Sequence, residues 1–268
     1  PFTYLNVMDK DGLSRLVVEH GITRIIHNAS ILSAVGEQNP QRGIELNTTA
    51  IENVLEVARM YNLRVLAPSS IAAFGPSSPK ENTPDITIMR PTTVYGITKV
   101  YGELLGDYYH QKYGVDYRSL RYPGIISAAM PGGGTTDWAI HIFYEALKHG
   151  KYECFLSEYT ALPMMHLRDC INATVSLLNA DNADLKQRTY NVSAFSLRPN
   201  DLAAAIRTHI PSFEVTYKPD FRQQIADSWP SSIDDLNARR DWGWQEEYDM
   251  ASLTEDMLRE VEEYLKSH

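Results

Sequence analysis

Apolar and polar positions along the chain fall into two alternating patterns. The short runs Thr23-Arg24-Ile25-Ile26-His27 and Leu63-Arg64-Val65-Leu66-Ala67 predict buried strands. The first runs out into the polar His27-Asn28-Ala29-Ser30, the second into Pro68-Ser69-Ser70. Between them, residues 49–60 put Ile51, Val54, Leu55 and Ala58 on one helical face, and Thr49-x-x-Glu52 reads as a capping box at its start. A second stripe, Val94, Ile97, Tyr101, Leu104, Leu105 and Tyr108, predicts a helix closed by Gly114, with Tyr117–Tyr122 as the next strand. Ahead of that helix, Pro76, Pro79, Pro84 and Pro91 with few periodic apolars predict a long irregular loop, a feature that often accompanies function.

Strands alternating with helices imply a parallel sheet covered on both faces, an α/β architecture. Ligands of such sheets bind beyond the carboxyl ends of the strands, and here those ends carry His27–Ser30, Ser69-Ser70 and Pro123-Gly124. The second half is less regular. A Gly-rich turn at 131–134 precedes a helix over roughly 137–148 with Ala139, Ile142, Phe143, Ala146 and Leu147 inward, and a solvated helix spans Leu253 to Leu265. A small mixed lobe closing over the sheet is the expected arrangement.

Composition narrows the class. The 268 residues, 43% hydrophobic and 22% charged, describe a globular chain, and no apolar run reaches bilayer length, so no membrane partner is expected. The first residues show no basic-then-apolar signal peptide. A net charge of −9 opposes nonspecific nucleic-acid binding, which depends on Lys and Arg neutralising phosphates. Cys154 and Cys170 are the only cysteines and form no CxxC. With neither that motif nor HExxH, no metal is expected, although His141 and Glu145 are spaced as a helical pair and His166 lies near Asp169 in sequence.

The chemistry concentrates in Ser70 and Tyr95-Gly96-Ile97-Thr98-Lys99. Tyr95 and Lys99, four residues apart, share a helix face. A cation one turn from a phenol favours phenolate and lowers its pKa, and a strand-end serine beside it can orient a substrate hydroxyl. Together these supply acid–base transfer to an alcohol or carbonyl. YxxxK alone equally describes a surface helix pair; the serine at the end of a predicted parallel strand is what gives it functional context.

These residues resemble the extended short-chain dehydrogenase/reductase superfamily, whose signature is a Ser or Thr followed by YxxxK. Further stretches are similar to its short-chain L-threonine 3-dehydrogenase family: Ile31–Val35, Pro68–Pro76, Arg121–Ser127, Pro131–Asp137, Leu162–Met165, Ile225–Pro230 and Asp241–Trp244. They recur in order over essentially the whole chain. The resemblance implies a Rossmann-like doubly wound parallel sheet, with residues 1–127 as a partial NAD-binding domain and 128–268 as a substrate lobe interleaved with its last elements. It implies NAD-dependent oxidation of L-threonine to 2-amino-3-oxobutyrate. Tyr95 takes the proton of the β-hydroxyl, Lys99 holds the nicotinamide ribose and depresses the Tyr95 pKa, and Ser70 orients the hydroxyl, with Ser69 sharing that duty or touching cofactor. Asn6 and Val7 fall where the adenine is held, Ala29 and Ser30 line the cofactor path, and Tyr122, Pro123, Gly124 and Ile126 flank the nicotinamide. Asn47 is either structural or the support of a proton-relay water.

For the substrate's ends, Ser33 and Thr135 are the implied threonine contacts. A helix N-terminus attracts a carboxylate, and Thr135 or Thr136 also reads as its cap. Asp137 meets the ammonium or complements the helix dipole, and Trp229 closes the pocket or fills the core. Met164 and Met165 read as core filler with a lesser claim to the pocket. A homodimer through helices beside the sheet is implied, mitochondrial in a eukaryote and cytoplasmic in a bacterium. One departure stands out: the Gly-rich dinucleotide turn and the acidic residue after the second strand are absent from this sequence. By resemblance the chain begins near the third strand and lacks the segment before it, so weak NAD binding is expected. A sugar-nucleotide epimerase or dehydratase of the same superfamily and a truncated noncatalytic relative are the alternatives.

Overall fold

The structure is a computed structural model and describes residues 2–267. Its first half runs α1 (Lys10–His20), β1 (Arg24–Ile26), α2 (Ser33–Gln38), α3 (Pro40–Tyr61), β2 (Arg64–Leu66), β3 (Ser69–Ser70), a 3-10 turn at Ile71–Ala73, α4 (Val94–Tyr113) and β4 (Asp116–Tyr122). The second half adds β5 (Gly124–Ile126), α5 (Trp138–His149), β6 (Lys151–Cys154), β7 (Leu162–His166), α6 (Leu167–Asn179), β8 (Thr189–Asn191) and β9 (Phe195–Leu197). It finishes with α7 (Pro199–Arg207), β10 (Glu214–Tyr217), α8 (Arg222–Asp227), α9 (Leu236–Trp242) and α10 (Met250–Ser267).

The main sheet is wholly parallel. β1 pairs β2, β2 pairs the first half of β4, and β8 pairs β4 on its other side. Across Pro68, β3 continues the line of β2 with unchanged register against β4, so Ser69 and Ser70 face Arg121 and Tyr122. Alternation along β2 shows that the sheet is wound on both faces. Val65 packs into one core with Leu55, Ala58 and Tyr117 beneath α1, α3 and α4. Its neighbour Leu66 packs into another with Leu120, Leu177 and Tyr190 beneath α6 and α9. The Rossmann-like α/β class expected from the sequence is therefore the one observed. A third core joins α5, α7 and α10 around Trp138, Phe143, Leu202 and Met257, and β5 pairs with β7 of the second half. Among the described residues, no helix is long and apolar enough to cross a membrane.

Two expectations about helix starts are corrected. The helix expected from residue 49 begins at Pro40, and Thr49 with Glu52 lies inside it, so their capping box does not form. Asn39 is the cap instead, accepting the Arg42 N–H at 3.3 Å, and Pro40 follows with its φ already helical. At α5 neither Thr135 nor Thr136 caps the helix. Asp137 holds the cap position and turns its carboxylate back onto the preceding loop.

Residues 76–91 are irregular as expected, yet they are tied down. Asp85 accepts the Asn191 N–H at 2.6 Å and the Asn237 side-chain N–H at 2.7 Å. Its backbone carbonyl accepts from Arg121 at 2.6 Å.

Candidate active site

Parallel strands end at one rim, so β1, β3 and β4 deliver His27, Ser70 and Tyr122 to the same side. A crevice of about 580 Å³ opens there. Its far wall comes from α4, which Thr93 starts by accepting the Gly96 N–H at 3.1 Å. Gly96 is what lets that helix come close. A Cβ at this position would lie 2.1 Å from the Ala72 carbonyl oxygen, so any side chain would push α4 away from the turn that follows Ser70.

Tyr95 and Lys99 face the crevice with Ser70. Burial pushes the Tyr95 phenol up to about 12, and a hydrogen bond with the Ser70 side chain pulls the other way. The lowering by Lys99 expected from sequence is not found. The ammonium sits 5.2 Å from the ring centroid and donates to the Pro68 carbonyl at 2.8 Å. Burial holds Lys99 itself down to about 8. His27 is lowered to about 4, by burial first and by Lys99 second, so it stands neutral beside the ammonium.

The substrate-facing residues also converge. Ser33, at the start of α2, and Thr135 bring their hydroxyls within 3.3 Å of each other, both buried. Asp137 lines the same wall and accepts the Gly133 and Gly134 N–H groups at 2.9 and 2.6 Å. Burial raises its carboxyl despite those bonds. Thr136, Trp229, Ser30, Pro123 and Gly124 complete the set of expected residues on the crevice. Trp229 lines the crevice and packs into the third core. Ser69 reaches the rim but gives its hydroxyl hydrogen to Glu103.

Five expected residues lie elsewhere. Ile126 is fully buried in the third core, and strand alternation puts Ile125 on the crevice in its place. Asn47 accepts the Ile31 N–H at 2.8 Å and donates to the Ile31 carbonyl and to Thr98, tying the strand-end loop to α4, and it also borders a small cavity behind the rim beside Lys99. Ala29 borders the same cavity. Asn6 is exposed and accepts the Met8 N–H, while the Val7 carbonyl accepts from Asn53, and neither residue lines the crevice. Met164 and Met165 are both fully buried, as core filler requires.

Sequence reasoning missed one wall. Leu167, Cys170, Ile171, Thr174 and Val175 of α6 line the crevice, and their three- and four-residue spacing was the available signal. Among the described residues both cysteines are free and buried. Among the described residues one His/acid group is close enough for an ion, His166 with Asp256 and Glu260, and Arg168 stands 3.7 and 2.6 Å from the two acids.

Comparison with known proteins gives the chain its relatives. Residues 1–193 match the NAD dependent epimerase/dehydratase family. The mitochondrial L-threonine 3-dehydrogenase of Bos taurus is 50% identical over 260 residues, 96% of this chain and 70% of that protein. The crystal structure of L-threonine dehydrogenase from Phytophthora infestans superposes with a TM-score of 0.97 at 58% identity, covering 98% of this chain and 86% of its own. The holo form of a GalE-like L-threonine dehydrogenase from Cupriavidus necator gives 0.94 at 49% identity, covering 97% and 85%.

Proposed function

This chain belongs to the NAD dependent epimerase/dehydratase family, among its L-threonine dehydrogenases, and from that premise we propose that it oxidises L-threonine to 2-amino-3-oxobutyrate with NAD as hydride acceptor at the Ser70/Tyr95/Lys99 site. What carries this reading is the meeting of Tyr95 with Ser70 at the strand rim, one helical turn from Lys99 and facing the Ser33–Thr135 hydroxyl pair.

The nicotinamide half of the cofactor fits the residues present. Pro68 uses one of the three Lys99 N–H donors, leaving two for a ribose. Tyr122, Pro123, Gly124 and Ser30 supply walls for the ring and the path to it. The pyrophosphate half has no Gly-rich strand-to-helix turn in these 268 residues.

In the proposed reaction Ser70 orients the β-hydroxyl toward Tyr95. Because burial keeps the phenol protonated near neutral pH, Tyr95 begins as a hydrogen-bond partner of that hydroxyl. The transfer itself runs through the minor ionised form: the Tyr95 phenolate takes the β-hydroxyl proton as the Cβ–H bond breaks, and the phenol so formed later returns that proton to solvent. Ser33 and Thr135 hold the amino acid's carboxylate, and Asp137 faces its ammonium. Tyr144, Ile140 and their neighbours on α5 are packed in the core and fix that wall in place. A homodimer belongs to the same reading, since α3 and α4 expose Ile44, Met60, Ile97, Leu104 and Tyr108.

The test is formation of NADH by the purified protein with L-threonine, at NAD concentrations high enough to offset the missing pyrophosphate turn, alongside epimerisation of UDP-galactose. Turnover of the amino acid and none of the sugar nucleotide is expected. The converse would transfer the site to the epimerases.

A further inference from the structure

Behind the crevice lies a buried ion pair that the proposed reaction does not use. Glu103 stands one turn beyond Lys99 and two beyond Tyr95 on α4, so the three side chains form one stripe. Its carboxylate accepts the Ser69 hydroxyl and two N–H groups of Arg121, at 2.9 and 2.7 Å. Arg121 gives two further donors to the Asp85 carbonyl and the Asn191 side chain. Both members of the pair are 4% exposed. Desolvating such a pair offsets much of its attraction, so stability alone explains its placement poorly. A cavity of about 30 Å³, room enough for a water, is bounded by Ser69, Lys99, Glu103, Thr98 and Ser119, so Glu103 and the ammonium border the same space.

We propose that Glu103 is a positioning residue for the reaction: its carboxylate keeps the Lys99 ammonium charged and, through Ser69, fixes the strand end that presents Ser70 to Tyr95. The proposal rests on the function given above. Lys99 is faced by Tyr95 and Glu103 from its own helix and by His27 from the end of β1. Glu103 is faced by Arg121 and Tyr117 from β4 and by Asp107 along α4. With His27 neutral, Glu103 is the charge that opposes the loss of the Lys99 proton on burial. Ser69 leads directly into Ser70, and the two share a register against β4, so a fixed Ser69 leaves the next hydroxyl little freedom.

The direct test reads the ammonium itself. In protein labelled with carbon-13 at lysine Cε, Lys99 is assigned by its disappearance in Lys99→Met and titrated by NMR. In the parent it titrates near 8. In Glu103→Gln it titrates lower by at least about one pH unit, the scale of losing a neighbouring opposite charge, and the alkaline limb of L-threonine turnover moves down with it. Ser69→Ala retains the carboxylate, so the Lys99 titration stays in place while kcat falls roughly tenfold or more with KM little changed. Should the unpaired Arg121 prevent Glu103→Gln from folding, Glu103→Gln with Arg121→Met removes both charges, and a smaller lowering in the same direction is expected, because the Arg121 cation goes with its partner. An unmoved Lys99 titration in either folded variant overturns the proposal. Since the resonance reports a proton and not turnover, absence of threonine oxidation beside a lowered Lys99 counts against the substrate alone. An unmoved Lys99 in an active enzyme counts against Glu103 alone.

Discussion

Tyr95 carries the proton in the proposed reaction, and removing its oxygen leaves the crevice otherwise intact. Tyr95→Phe should lower kcat for L-threonine by at least about 100-fold, the scale of lost acid–base catalysis, with KM little affected. Steady-state kinetics on a folded variant decides it, and near-normal turnover would remove Tyr95 from the chemistry. Ser70, Tyr95 and Lys99 were legible in the sequence because their relation is local: two share a helix face by spacing, and the third ends a strand. The direction of the Lys99 ammonium was not legible. It depends on the Pro68 carbonyl, which only the folded chain brings near. Ile125 and Ile126 make the same point at smaller scale, since a strand's parity decides which of two adjacent isoleucines meets the ligand and sequence does not fix that parity.

At the level of elements, the site depends on how closely α4 approaches the turn after β3. Gly96→Ala would set a methyl against the Ala72 carbonyl at a distance no real contact tolerates. The expected cost is at least about 1–3 kcal/mol in chemical denaturation. The loss of kcat should exceed that seen in any equally destabilised variant of α10, because Tyr95 moves with its helix. Equal losses would mean that α4 only supports the fold. Helices and strands were largely legible from periodicity, and α4 was found nearly to the residue. The start of α3 was not, because two valid signals competed. Thr49 and Glu52 have the letters of a capping box, but Asn39-Pro40 caps ten residues earlier, and the added turns are held by the buried Gly43 and by the Asn47 bonds to Ile31 and Thr98. Glu103 was in plain view as the next member of the Tyr95–Lys99 stripe; its partner Arg121 is on another element, and a pairing of that kind has no local signature.

For the molecule as a whole, pH dependence follows from His27. Its pKa in the folded protein, about 4, lies below the ordinary 6.5 of an unfolded imidazole. Between those values the unfolded chain binds a proton that the folded chain refuses, so the stabilising contribution is present above about 6.5 and is lost as pH falls toward 4. Urea midpoints measured across that window should decline toward acid, and the decline should be shallower in His27→Asn. Identical slopes would place the acid sensitivity in other groups. The class of the sheet and the rim at which its strands end were both legible, since alternation of elements dictates them. The wall from α6 was not, because a helix that covers a sheet and a helix that borders a ligand carry the same apolar spacing.

The clasp between Asp137 and the Gly133–Gly134 amides has an outcome for selectivity. A loop whose donors are already satisfied by a built-in negative charge offers no cradle to an incoming phosphate and repels it instead. Under the proposed function that wall of the crevice suits the ammonium of a free amino acid better than the phosphate of a sugar nucleotide, so selectivity there begins with charge.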